Sequence, residues 1–213
     1  VSDRHAFEVV STEDIHQGSV FALRSDKVRM PGGREARREV VEHFGAVAVV
    51  ALDDQHRLVL IHQYRHPLGR RLWEFPAGLL DEAGEDPVRT AERELAEEAG
   101  FAARSWSVLV DVASSPGMTD EVVRVFLAQE LSEVNHSDTL GTGEDNEESD
   151  IVVRRVPVDE AVRMVFAGEI LNAPTVSGVL AVHAVLGGHA TLREPDAPWP
   201  DRPRRFAARR ASG

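Results

Sequence analysis

Apolar residues gather along this chain in short runs set apart by glycine, proline and charge. The runs Ala46-Val-Ala-Val-Val-Ala-Leu52 and Leu58-Val-Leu-Ile61 flank Asp53-Asp54 and read as a hairpin of buried strands. From about Phe7 to Phe44 the runs shorten to Phe7–Val10, Gly18–Leu23, Lys27–Met30 and Arg38–Glu42, divided by a Pro31-Gly-Gly33 turn. A small antiparallel sheet is expected there. Further strands are expected near Trp106–Val112, Glu121–Gln129 and Asp150–Val156, then helical patterns at Val158–Phe166 and Thr175–Leu186. The chain thus divides into a β-sheet region (1–44), a main domain (45–195) and a C-terminal extension (196–213). No internal repeat is visible.

One further helix is written clearly. Asp86 is an N-cap, Pro87 fits the first helical position with its preset φ, and Gly100 supplies the left-handed residue that ends the segment. At 100° per residue, Val88, Ala91, Leu95 and Ala99 fall on one narrow stripe, with Glu98, Glu94 and Glu97 fanning out beside it. The glutamates therefore border the buried face. Carboxylates three and four residues apart repel by roughly 0.2–0.5 kcal/mol per pair, and Arg93, four residues before Glu97, relieves only part of this. A hard cation would relieve the rest. The plain alternative, a solvated acidic helix, does not account for the glycine-bearing loop with its own Glu85, the closing Gly100-Phe101, or the preceding run Leu72-Trp-Glu-Phe-Pro-Ala77.

Glu85 through Phe101 resembles the signature of the Nudix hydrolase family: Glu, seven residues, Arg-Glu, an aliphatic residue, any residue, Glu-Glu, any residue, Gly, then an aliphatic or aromatic residue. The signature glycine should fall at Leu79, but the glycine here is Gly78, so the loop carries one extra residue. The resemblance implies an α/β/α sandwich with a mixed sheet, preceded by the small antiparallel sheet. It also implies a Mg²⁺ site, with Mn²⁺ as the other candidate, formed by Glu94, Glu97, Glu98 and the main-chain carbonyl of Ala77. Oxygen ligands of this kind suit such ions. Glu85 and Arg93 resemble the pair that steadies the loop against the helix.

Composition is compatible with an enzyme of this kind. The 213 residues can bury one substantial core with room for a smaller domain. No apolar run approaches the ~20 residues of a membrane span, and no signal-peptide pattern opens the chain. The absence of cysteine excludes disulfides and thiolate metal sites and is compatible with a cytoplasmic setting. A formal charge of −12 argues against nucleic acid as a partner, so an anionic substrate needs a metal-bearing or locally positive pocket. Arg202, Arg204, Arg205, Arg209 and Arg210 are read as a solvated basic tail. His183, within an apolar helical pattern, is read as a core or interface histidine.

Substrate class rests on further resemblances. Ser114-Ser-Pro-Gly-Met-Thr-Asp-Glu121 places a proline fifteen residues beyond Phe101, similar to the mark that accompanies the ADP-ribose pyrophosphatases of the family. Gln63-Tyr-Arg65-His-Pro resembles the family's Gln-Tyr-Arg run with its substrate-contacting arginine, and Arg71-Leu-Trp-Glu-Phe-Pro-Ala-Gly78 resembles the family's Trp/Glu-containing approach to the loop, which carries over Arg65 and Glu74 as substrate contacts. Met118 to Glu121 would then lie over the terminal ribose. Trp73 and Phe75 are read as core. In the acidic stretch 133–150, Glu148 is the first choice for general base and Glu147 the second. The expected reaction is hydrolysis of ADP-ribose to AMP and ribose 5-phosphate. The alternatives are hydrolysis of another nucleoside diphosphate sugar or a dinucleoside polyphosphate, and nonhydrolytic nucleotide sensing. The resemblance also implies a homodimer through the N-terminal sheet, and a lone β-meander of this length would be marginal without a partner.

Overall fold

The computed structural model describes residues 6–134 and 150–212. Glu147 and Glu148 lie outside the described residues. The chain forms two compact units: residues 1–45, 113–122 and 201–213 in the first, and residues 46–112 and 123–200 in the second.

The first unit holds three antiparallel strands, β1 (Val9–Gln17), β2 (Phe21–Arg29) and β3 (Glu35–His43), in the order β1-β2-β3. The four runs expected here are thus three longer strands. β2 passes without a break through Leu23-Arg24-Ser25-Asp26-Lys27, which looked like a gap because its centre is polar. Arg24, Ser25 and Asp26 are nonetheless buried. Arg24 pairs with Asp26 and, through Nε, with Glu42 at 2.6 Å, so polar residues serve this strand as core. The loop 114–121 runs against the end of β3, where Val41 N donates to Met118 O and Asp120 N donates to Val41 O.

The C-terminal segment corrects one expectation. It is not a solvated tail: residues Arg205–Ser212 form a helix, labelled α4 below, whose Phe206 is fully buried and stands edge-on to Phe44 at 4.5 Å. Arg209 reaches Glu42 at 2.5 Å and holds Asp14 through two hydrogen bonds of 2.7 Å.

The second unit contains β4 (Ala46–Ala51), β5 (Arg57–Arg65), β6 (Arg70–Glu74), β7 (Ala77–Leu79), α1 (Pro87–Ala99), β8 (Phe101–Ala113), β9 (Val122–Glu133), β10 (Val152–Pro157), α2 (Val158–Phe166) and α3 (Ala173–Leu186). One sheet runs β7-β4-β9-β8 and the other β10-β5-β6. The first is mixed, since β4 pairs antiparallel with β7 and parallel with β9. Alternation along β4 sorts its side chains between two apolar clusters. Val47, Val49 and Ala51 join Ala91, Leu95 and Ala99 of α1, while Ala48, Val50 and Leu52 join Ala161 and Met164 of α2 and Val179 and Val182 of α3. This is the expected helix–sheet–helix sandwich.

The expected hairpin of β4 and β5 does not form. The two strands meet only at the bridge Leu52↔Leu58 and then enter different sheets. Strands buried on both faces need hydrogen-bonding neighbours along both edges, which a two-stranded hairpin cannot supply. β4 finds them in β7 and β9, and β5 in β6 and β10. His183 is also corrected from core: its side chain is about half exposed, 4.0 Å from Asp159.

Candidate active site

Helix α1 begins and ends as its sequence dictates. The Asp86 side chain accepts from Val88 N, Pro87 opens the helix, and Gly100 closes it at φ 72°, donating its N–H to carbonyls of the last turn. The buried face is wider than the apolar stripe, because Thr90, Glu94 and Glu98 lie on it with Ala91, Leu95 and Ala99. Two carboxylates are thereby taken out of bulk water. Val88, placed on the stripe by periodicity, is only partly buried.

Strand β7 brings main chain against these carboxylates. Ala77 N donates to Glu98 Oε2 at 2.8 Å. Gly78 lies so close to Glu94 that a Cβ added there would stand 2.1 Å from Glu94 Oε1 unless that side chain moved. A side chain at 78 would have to displace the Glu94 carboxylate, so glycine there lets Glu94 stand where it does. The strand is fixed from its other side by Ala48↔Ala77 pairing and by Val49 N donating to Pro76 O.

Arg93 supplies positive charge within the cluster. Its Nη1 stands 2.7 Å from Glu94 and 3.0 Å from Glu97, and its Nη2 is 3.7 Å from Glu85. Burial pulls this guanidinium down, but Glu94, Glu97 and Glu85 outweigh that and hold it above the ordinary arginine value. Glu85 also accepts from Thr90 Oγ1 at 2.8 Å. Thr90 is fully buried and was not singled out from sequence, although its place five residues after Glu85 puts it on the helix turn facing the loop.

In kind, the donor set fits a hard divalent ion: glutamate oxygens beside a main-chain segment that approaches them closely at Ala77 and Gly78. Among the described residues, no group of three or more His, Asp or Glu already stands at metal-holding spacing. The charge of Glu94 and Glu97 is met by Arg93 instead.

On the hairpin of β5 and β6, Arg65 donates from Nε and Nη2 to both oxygens of Glu74, at 3.0 and 2.8 Å. Glu74 is buried while the Arg65 side chain is 43 % exposed, so the carboxylate anchors and the guanidinium presents. Ile61 and Glu74 are register partners, and Ile61 faces the α1 cluster. Phe75 is core as expected, and Trp73 packs partly against the α2/α3 cluster while stacking on His62 at 4.4 Å. Burial, with help from Arg71, lowers the His62 pKa.

Met118 and Glu121 belong to the first unit. Met118 is exposed, and Glu121 stands 3.5 Å from His43 Nδ1. The second unit also has a cavity of about 470 Å³, lined by Asp53, Phe101, Glu130 and Arg155 among others, whose lining among the described residues includes none of the expected site residues.

Residues 42–176 match the NUDIX domain family. An ADP-ribose pyrophosphatase of Mycobacterium tuberculosis is 55 % identical over 207 residues, 97 % of this chain and 98 % of that protein. An ADP-ribose pyrophosphatase of Bacillus subtilis is 37 % identical over 172 residues, 81 % of this chain and 90 % of that protein. A solved structure described as an ADP compounds hydrolase superposes with a TM-score of 0.73, covering 89 % of this chain and 99 % of its own. At 21 % identity that likeness is one of fold.

Proposed function

The chain belongs to the Nudix family, and from that premise we propose that it hydrolyses the diphosphate of ADP-ribose to AMP and ribose 5-phosphate. The observation that carries the reading is the identity to the M. tuberculosis ADP-ribose pyrophosphatase along almost the whole of both chains. ADP-ribose pyrophosphatases of this family are generally dependent on a divalent metal. We propose Mg²⁺, with Mn²⁺ able to replace it, held by Glu94, Glu97, Glu98 and the Ala77 carbonyl.

A diphosphate resists attack because its own oxygens repel an incoming nucleophile. The bound ion would screen that charge and polarise a phosphoryl oxygen. The protein's part is positioning. Glu98 is oriented by the Ala77 N–H and Glu94 by its contact with Gly78. Arg93 pairs with Glu94 and Glu97 and stands 3.7 Å from Glu85, which would remain its partner where an ion took up the other two. Arg65, steadied by Glu74, offers a guanidinium to a substrate phosphate or ribose, so Glu74 acts through Arg65. Glu148, or Glu147 in its place, accepts the proton from the attacking water. Met118 and Glu121 complete the proposed contacts, at the terminal ribose.

The same reading includes a homodimer in the cytoplasm. The N-terminal sheet leaves Val9, Val10, Ile15 and Phe21 exposed, a face suited to a second copy. No helix among the described residues is long and apolar enough to cross a membrane.

Turnover of ADP-ribose, a nucleotide sugar and a dinucleoside polyphosphate with Mg²⁺, each product identified, tests the proposal. ADP-ribose should give AMP and ribose 5-phosphate at the highest kcat/KM. A better rate on another compound would displace it, and no turnover at all would favour a sensor. Glu148→Gln should lower kcat about 10²–10⁴-fold with metal affinity retained; if only Glu147→Gln does so, the base is the neighbouring residue.

A further inference from the structure

The main-chain segment 75–78, which meets Glu94 and Glu98, is tied at its N-terminal end to a helix far away in sequence. Phe75 N donates to Thr175 Oγ1 at 3.2 Å. Thr175 is 1 % exposed, and its hydroxyl donates its one proton to Asn172 Oδ1 at 2.8 Å, which leaves the oxygen free to accept from Phe75. Asn172 is the N-cap of α3 and also accepts from Thr175 N at 3.0 Å. One helix turn later, α3 approaches so near that a Cβ at Gly178 would stand 2.8 Å from the Phe75 ring and 2.9 Å from Val50. The segment is therefore held at successive residues: Phe75 by Thr175, Pro76 by Val49, Ala77 by Glu98 and Gly78 by its closeness to Glu94.

We propose that Asn172 and Thr175, at the N-terminal turn of α3, are positioning residues for the metal site, fixing the 75–78 backbone that orients Glu98. The inference rests on the metal site named under the proposed function. Thr175 touches no metal or substrate. It holds the Phe75 N–H, and the next N–H along the chain, at Ala77 beyond Pro76, sets the Glu98 carboxylate. A hydroxyl at 175 is needed for this, because the buried Phe75 N–H has its acceptor there and the Asn172 carbonyl oxygen directs the hydroxyl's proton away. The sequence carries a local cue, Asn172-Ala-Pro-Thr175, which reads as a helix cap. That the cap also serves β7 is visible only in the fold.

The test uses the full-length chain and Mn²⁺ binding measured without substrate, by electron paramagnetic resonance, beside hydrogen exchange at the Phe75 and Ala77 amides. Thr175→Val keeps the shape and removes the hydroxyl. It should weaken Mn²⁺ binding about 10-fold, in the range seen when a ligand's outer partner is lost, and speed exchange at both amides. Thr175→Ser should restore both to within about twofold. Should Thr175→Val fail to fold, Asn172→Ala is the second variant, expected to move both readouts in the same direction by a smaller factor. Unchanged Mn²⁺ affinity and unchanged exchange at Ala77 in a folded variant would overturn the proposal, even if its unfolding midpoint had dropped. A wild-type chain whose Mn²⁺ binding does not depend on Glu98 would instead refute the metal site itself, and exchange at Ala77 would still decide whether Thr175 positions the segment.

Discussion

The two units bury charge in different ways. In the first, three carboxylates and three guanidiniums are matched within the unit: Asp26 with Arg24, Glu42 with Arg24, Arg205 and Arg209, Asp14 with Arg209. Among the described residues its buried apolar cluster is Ala22, Phe44 and Phe206, so this ion network takes a share of the packing. In the second unit two large apolar clusters form the core, and buried carboxylates concentrate along one face of α1, where Arg93 is shared among Glu85, Glu94 and Glu97. The lesson lies in the ratio of charges. Where arginine matches carboxylate, the pairs are structural; where carboxylates outnumber the arginine beside them, the excess negative charge suits an exchangeable cation.

Exchanging a carboxylate for its amide in each unit breaks the comparison most sharply. Glu98→Gln should reduce Mg²⁺-supported turnover by more than about 100-fold, beyond what loss of an outer partner causes, while the unfolding midpoint stays near that of the parent. A kinetic assay with a parallel thermal melt checks it, and retained turnover would remove Glu98 from the ligand set. Glu42→Gln should do the reverse. Glu42 is fully buried among Arg24, Arg205 and Arg209, so neutralising it leaves excess positive charge and costs about 3 kcal/mol in urea unfolding. Mn²⁺ affinity of the folded variant should not change. A metal-binding defect in Glu42→Gln would mean that the two charge systems are not separate.

The sequence was legible where pattern and chemistry coincide locally. Helix α1 carries its own cap, proline, apolar stripe and terminating glycine, and it forms where those signals put it. Gly78 is a displaced signature residue in the sequence, and the structure places it against the Glu94 side chain. Legibility failed where a residue's role depends on a distant partner. The polar centre of β2 gave no strand signal because Arg24 and Asp26 are buried by ion pairing, and Glu42, eighteen positions on from Arg24, is part of that pairing. The basic tail read as solvated because nothing local announces that Phe206 enters a core with Phe44 or that Arg209 reaches Asp14. The β4/β5 hairpin was inferred from adjacency, whereas strands buried on both faces are placed by what borders them. Thr175 shows the same limit at the site: its cap is written in the sequence, its service to Phe75 is not.

A finer contrast comes from two aspartates whose environments act with opposite sign. In the second unit, burial raises the Asp111 pKa, but hydrogen bonds and charge from Arg124 and Arg193 outweigh it and leave the carboxyl below its ordinary value. A depressed carboxylate stabilises the fold above its unfolded pKa, and that contribution is lost as pH falls through the folded value. Asp111→Asn should therefore lower stability at pH 7 by about 2 kcal/mol, since the buried Arg124 loses its counter-charge, and the gap from the parent should close in acid. In the first unit, burial raises the Asp120 pKa and the nearby Glu42 raises it further, against the His43 N–H it accepts. The sign reverses: the folded state holds this proton more tightly than the unfolded chain, so the ionised group opposes folding above its folded pKa and the opposition fades as pH falls. Asp120→Asn keeps an oxygen for the His43 N–H and should raise the unfolding midpoint at pH 7 by about one or two degrees, with no difference left below the unfolded pKa of ~3.9. Melts of both variants between neutral pH and that limit measure the two gaps, and a gap of the same sign for both would mean that burial does not govern Asp120.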